Sequence, residues 1–179
     1  TKSAGPPPVI IVLAPPFTAL SAVAEALAAH NLSHPPRVEL AAQDMHWEDH
    51  GAFTGEVSVS MLKEAGCRYV IIGHSERRRD FGETNATANK KIAAALRHGL
   101  RPILCVGETW EQRSNEQTKS VLADQLTNAL AGVEKDQAAD VVIAYEHVWA
   151  IGSGRPATVE EALNAHRHIR ATAATRWGQ

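Results

Sequence analysis

Cysteine is scarce. There are two thiols, Cys67 and Cys105, and no CxxC pair in 179 residues. Both sit beside apolar runs and read as buried thiols in a reducing compartment. An excess of either charge is also missing, since 18 Lys and Arg stand against 20 Asp and Glu. That balance gives no reason to expect nucleic acid or an acidic membrane surface as partner. No apolar run approaches the ~20 residues of a membrane span. Thr1 to Pro8 carries no apolar core of a signal peptide, so a cytoplasmic protein is the expectation. There is no Walker A motif. Gly152-Ser153-Gly154 is followed by Arg155-Pro156-Ala157, which breaks the dinucleotide fingerprint. What is present is a 44% apolar chain, long enough for one domain with a substantial core.

Apolar, β-branched runs recur at Val9–Leu13, Val38–Ala41, Tyr69–Ile72, Ile103–Val106 and Val141–Ala144. They are continuous and not alternating, the pattern of strands buried on both faces of a parallel sheet. Helical patterns separate them. Thr18–Ala29 is rich in Ala and Leu, Ser60–Gly66 ends on a glycine, and Asn85–His98 stops at Gly99. Gln112–Ala131 spaces Val121, Leu122, Leu126 and Leu130 helically, and Thr158-Val159-Glu160-Glu161 is a capping box for a last helix. The expectation is an α/β chain of five parallel strand–helix units, with residues 1–8 a tail and 9–179 one domain. Strand starts lie roughly 30–40 residues apart, the size of one βαβ step. Two architectures fit this repeat, an open doubly wound sheet and part of a (β/α) barrel. A whole barrel needs eight units and about 250 residues.

Two strand ends carry ionisable groups. His74 follows Tyr69–Ile72 and Gly73, with Ser75 and Glu76 able to start a helical turn. The positive end of that turn would keep the imidazole neutral, able to donate to a carbonyl oxygen as charge develops there. Glu146 ends the last strand, and in a partly apolar pocket it would become a useful general base. The apolar, glycine-flanked stretch Val148–Gly154 has the composition of a lid that excludes water, or of an ordinary loop packed on the body. Other candidates carry less. His46-Trp47-Glu48-Asp49-His50 is not an H-E-x-x-H pattern, and no metal site is read from it. His166 and His168 face different ways on a helix and read as solvated. Glu108 follows a strand end as a structural partner or helix-start acid. Arg77, Arg78 and Arg79 read as a solvated or salt-bridged cluster.

These segments resemble the triosephosphate isomerase family. The resemblance rests on Ala14–Thr18, Gly51–Glu56, Gly73-His74-Ser75-Glu76-Arg77-Arg78, Phe81–Thr84, Pro102–Thr109 and Tyr145–Gly154. Together they run in the family's order over nearly the whole chain. The resemblance implies an incomplete (β/α)8 TIM barrel that interconverts glyceraldehyde 3-phosphate and dihydroxyacetone phosphate. Glu146 would be the base, His74 the electrophile, and Glu76 the acid that supports the site's lysine. Trp149, Ile151, Gly152 and Ser153 would form the phosphate-gripping lid, with Gly152 the backbone donor. Neither a metal nor an organic cofactor is implied. Thr54, Gly55 and Glu56, with Arg77, would face a sister subunit, so a homodimer is implied.

Departures temper this. The family's first strand, with its Asn-x-Lys pattern, has no counterpart, and neither do the seventh and eighth strands with their phosphate loops. His147 stands where the family has proline. Weak or absent turnover is the expectation, with a non-catalytic scaffold or interaction protein as the alternative.

Overall fold

The computed structural model describes residues 9–33 and 38–178. The Thr1–Pro8 tail, and with it the expected domain boundary, lies outside the described residues. Five strands form one parallel sheet: β1 (Ile11–Leu13), β2 (Val38–Ala42), β3 (Tyr69–Ile72), β4 (Arg101–Val106) and β5 (Val142–Tyr145). Each pairs with the next in chain order. A doubly wound sheet reverses direction partway across, whereas a barrel adds each strand beside the last. The unbroken order therefore selects the barrel alternative, and the sheet is a half-barrel of the (β/α)8 type.

The helices are α1 (Leu20–Ser33), α2 (Val59–Glu64), α3 (Ser75–Asp80), α4 (Asn85–Arg97), α5 (Trp110–Ser114), α6 (Thr118–Ala129), α7 (Lys135–Ala138) and α8 (Val159–Trp177). Local chemistry sets most of their starts. Ser58 caps α2, Thr84 caps α4, and Thr158 with Glu161 forms the capping box that opens α8. The single helix expected over Gln112–Ala131 is two. Thr109 caps α5, the chain breaks at Asn115–Gln117, and Glu116 sits at φ 58°. A non-glycine residue there cannot continue a right-handed helix. The helical turn that Ser75 and Glu76 were able to start is α3, whereas α7 carries too little periodicity to show in the sequence.

The core is one-sided. Val70 and Ile72 of β3 and Leu104 of β4 are fully buried, in one cluster with Ile92 and Ala95 of α4 and Leu122 and Leu126 of α6. On the opposite face Ile71 pairs with Ile103, and both stay partly exposed. Val142, opposite Ile103 on β5, is 38% exposed. The expectation of strands buried on both faces is thus corrected. Among the described residues helices cover one face, and apolar side chains remain on the concave one. Parallel strands also send every strand end to the same rim. The loops after β3, β4 and β5 are therefore neighbours there, and they hold His74, Glu108 and Glu146.

Candidate active site

Gly73 leaves β3 at φ 74°, a left-handed turn that glycine adopts without strain. His74 then caps α3 through its side chain. Its Nδ1 accepts the N–H of Glu76 at 3.2 Å. An Nδ1 that accepts cannot carry the proton, so the neutral ring has its N–H at Nε2. Nε2 lies 2.7 Å from Oε1 of Glu146. The other carboxylate oxygen, Oε2, accepts the N–H of Ser75 at 2.9 Å. The Glu146 side chain is 14% exposed and that of His74 33%. The Glu146 N–H donates to Val106 O at 2.8 Å, carrying the β4–β5 ladder one step past the strand. The structure thus brings together the two residues that the sequence singled out, 71 positions apart along the chain.

Behind His74 lies a buried charge network that motif reading missed. Glu83 Oε1 accepts the N–H of Gly73 at 2.6 Å, while its Oε2 accepts from Lys91 Nζ at 2.7 Å and Arg77 Nε at 3.1 Å. Asp44 takes the same two cations, Lys91 at 2.6 Å and Arg77 at 2.8 Å. Burial alone would raise the Glu83 carboxyl. The bonds from Lys91, Gly73 and Arg77 outweigh it and hold the group below its ordinary value. Two carboxylates facing two cations leave no charge unpaired there. A lysine in the middle of a helix gives no sequence signal of this role, because most such lysines are solvated.

Arg77 therefore points into its own chain. Of the other residues expected at a subunit interface, Thr54, Gly55 and Glu56 are all exposed. Their loop is anchored further back by His46, whose ring stacks on Trp47 at 4.3 Å and meets Phe53 at a tilt at 4.2 Å. Glu76 keeps its backbone N–H on His74, but its carboxylate is 63% exposed. A cavity of about 340 Å³ beside it is lined by Phe17, Gln43, Ile71, His74, Glu76 and Arg77, among others, and no described lysine lines it.

The rim beyond Glu146 is organised around Glu108, which is fully buried. Its carboxylate accepts from Tyr145 OH at 3.0 Å, Arg113 at 3.2 Å and Thr118 at 3.3 Å. It is the structural partner that the sequence allowed for. Burial first, then the Glu108 charge, push the Tyr145 hydroxyl above its ordinary range. Arg113 also bonds Glu161 at 2.8 Å and lies 4.5 Å over the ring of Trp149. Trp149 is 6% exposed, whereas Ile151 is 55% exposed, and Gly152 and Ser153 are exposed as well. The segment read as a lid or a packed loop is thus anchored at one end and open at the other. His147 packs against Tyr145 at 4.5 Å and Trp149 at 5.8 Å, with Nε2 buried and unpartnered. Burial chiefly lowers its pKa; Arg113 and His166 add to that, and Glu108 and Glu161 oppose it. His166 approaches the Tyr145 ring at 6.1 Å, and His168 bonds Lys119 O at 2.9 Å. His168 is therefore tied to α6 and not simply solvated. No group of three or more His, Cys, Asp or Glu among the described residues is placed to hold a metal ion. No described helix is long and apolar enough to cross a membrane.

Comparison with known proteins bears on this geometry. The family model for triosephosphate isomerase matches residues 1–179. The triosephosphate isomerase of Moorella thermoacetica is 50% identical over 169 residues, covering 94% of this chain and 66% of that protein. That of Geotalea uraniireducens is 52% identical over 164 residues, 92% of this chain and 63% of its own length. The Chloroflexus aurantiacus protein is 53% identical over 167 residues, covering 93% and 64% respectively. The chain spans a little under two thirds of the length of these curated relatives.

Proposed function

The chain belongs to the triosephosphate isomerase family, and from that premise we propose that it interconverts glyceraldehyde 3-phosphate and dihydroxyacetone phosphate through an enediolate. The observation that carries this reading is the 2.7 Å contact between Nε2 of His74 and Glu146, with Nδ1 occupied by the Glu76 N–H. That arrangement offers a proton donor fixed at Nε2 beside a carboxylate able to take a proton.

In the mechanism, Glu146 removes the proton from the carbon next to the substrate carbonyl. The C–H electrons form the C=C bond of the enediolate, and His74 Nε2–H donates to the oxygen where charge gathers. His74 gives its Nε2 proton to that oxygen and takes the hydroxyl proton of the neighbouring oxygen, the proton held on Glu146 goes to the carbon that had been the carbonyl, and the new carbonyl forms on the other carbon. Acid–base chemistry by side chains accounts for each step. Glu146 is held by both His74 and Ser75 in this structure. It must leave those donors to reach a substrate carbon. The lid residues Trp149, Ile151, Gly152 and Ser153 close over the phosphate in this reading, with the Gly152 N–H as donor. The exposed loop tip at Thr54–Glu56 docks into a second copy.

Turnover by these 179 residues is expected to be weak or absent. Arg77 is already committed to Asp44 and Glu83, so the cavity beside His74 offers no free described cation to meet a phosphate or a developing oxyanion. One such missing group costs roughly a hundredfold to a thousandfold in rate. The test is isomerisation of glyceraldehyde 3-phosphate by the purified chain, with Glu146→Asp and His74→Ala variants beside it. Turnover that both variants reduce supports the assignment, whereas turnover that neither changes would come from a contaminant and refute it. A folded chain with no turnover favours a non-catalytic scaffold built on the family core.

A further inference from the structure

The two reacting residues each adjoin a glycine whose peptide groups are gripped by a side chain from outside the site. On one side, the carbonyl of Gly73 accepts from Arg78 Nε at 2.7 Å. A Cβ at Gly73 would lie 2.8 Å from that guanidinium, so a side chain there would have to displace Arg78. On the other side, Gln125 of α6 holds both polar groups of Gly107. Its Oε1 accepts the Gly107 N–H at 2.8 Å, and its Nε2 donates to the Gly107 carbonyl at 3.1 Å.

Gly107 follows Val106, which pairs with Tyr145, so it lies beside the Glu146 backbone. The approach is closer than any side chain permits, because a Cβ there would overlap the Glu146 carbonyl. Arg78 and Gln125 line one polar cleft of about 420 Å³ between α4 and α6. Asn85 and Asp124, bonded at 2.9 Å, join its two sides, and Asn85 also accepts from Arg78 at 2.7 Å.

We propose that Gln125 and Arg78 are positioning residues. Gln125 sets the depth of Glu146 through Gly107, Arg78 sets His74 through Gly73, and the Asn85–Asp124 bond couples the two. Neither touches a reacting atom. The proposal rests on the isomerase reading of the pair for its meaning, but its geometry is testable without turnover. A misplacement of about 1 Å at a reacting group costs on the order of a hundredfold in rate. Gln125→Ala is therefore expected to lower kcat by about that factor with KM little changed.

The direct readout is the His74 ring in histidine labelled with nitrogen-15, assigned by its loss in His74→Ala. The unmodified chain should show an Nε2–H imidazole with a slowly exchanging proton, held by Glu146. In folded Gln125→Ala that proton signal should broaden away, and Arg78→Lys should shift it. A merely structural role would lower Tm and leave the signal of the folded population unchanged. If Gln125→Ala does not fold, Gln125→Glu decides. It keeps the acceptor for the Gly107 N–H, loses the donor to the carbonyl, and should weaken the signal. An unchanged signal in either folded Gln125 variant overturns the proposal, as does its absence from the unmodified chain. Absence of turnover beside a clear variant effect on the signal would count against the isomerase reading alone.

Discussion

The rim after β3 and the rim after β5 each present one residue of the candidate site, but they are built in opposite ways. On the His74 side the backbone is held from every direction. Glu83 takes the Gly73 N–H, Arg78 takes its carbonyl, and α3 begins at once with the imidazole as its cap. On the Glu146 side the hold comes from behind, through Val106 and Gly107. The chain ahead anchors only as far as Trp149 and then opens into exposed Ile151–Gly154. The difference suits the two roles proposed for His74 and Glu146. A hydrogen-bond donor to a developing oxyanion works best when it need not reorganise. A base that must shuttle a proton between two carbons, and that is parked on Ser75 in this structure, needs an element able to move.

Substitutions can break this comparison, beginning with the chemistry itself. Glu146→Gln keeps the size of the base but removes its charge. The expected loss is about 10²- to 10⁴-fold in kcat, with folding intact by circular dichroism. Any turnover of the unmodified chain provides the baseline for that assay. Next is the rigidity of the His74 side. Lys91→Met strips a cation from two buried carboxylates and should destabilise the chain by about 3–5 kcal/mol in urea unfolding. A smaller loss would mean that Arg77 alone satisfies Asp44 and Glu83.

The glycines make a matched pair. Gly73→Ala meets both a left-handed backbone and the Arg78 guanidinium, so about 2–4 kcal/mol of global stability should go. Gly152→Ala has open space around its Cβ and only the backbone cost of φ 70°, about 1–2 kcal/mol. That cost should appear as faster amide hydrogen exchange over residues 150–155 with Tm nearly constant. Equal effects on Tm from the two changes would refute the contrast.

Acid should separate the regions most gently. The folded pKa of His147 is depressed below its ordinary 6.5, so its contribution is full above that value and is lost as pH falls through the folded pKa. Glu83 is depressed below its ordinary 4.5, so its contribution is full above pH 4.5 and is lost only below it. Hydrogen exchange should therefore speed up over residues 147–154 at a higher pH than over 73–83. His147→Phe should abolish the earlier change and leave the later one.

Much of this was legible beforehand. Continuous apolar runs placed the strands within two residues, and capping residues Thr84 and Thr158 marked where helices begin. His74 and Glu146 stood out because ionisable groups at the ends of apolar strands are costly unless employed. The break at Glu116 did not show, because the apolar spacing runs straight across it. Lys91, Asp44, Arg78 and Gln125 did not show either. Lys91 and Asp44 are 47 positions apart and Gln125 is 18 from Gly107, while Arg78, only five from Gly73, sits in an arginine run that reads as a solvated or salt-bridged cluster; nothing local marks these partners.

By itself, the sequence determined the repeat of strands and helices and the family, and it singled out His74 and Glu146. These depend on local patterns of apolarity, glycine and capping that the chain carries wherever it folds. Only the tertiary structure decided that the sheet winds in barrel order with an open concave face. It also decided that Glu146 rests on both His74 and Ser75, and that Gly73 and Gly107 are gripped from a cleft behind the site. Those features arise when distant segments meet, because burying a peptide group or a charge demands a partner, and only the folded arrangement determines which partner is within reach.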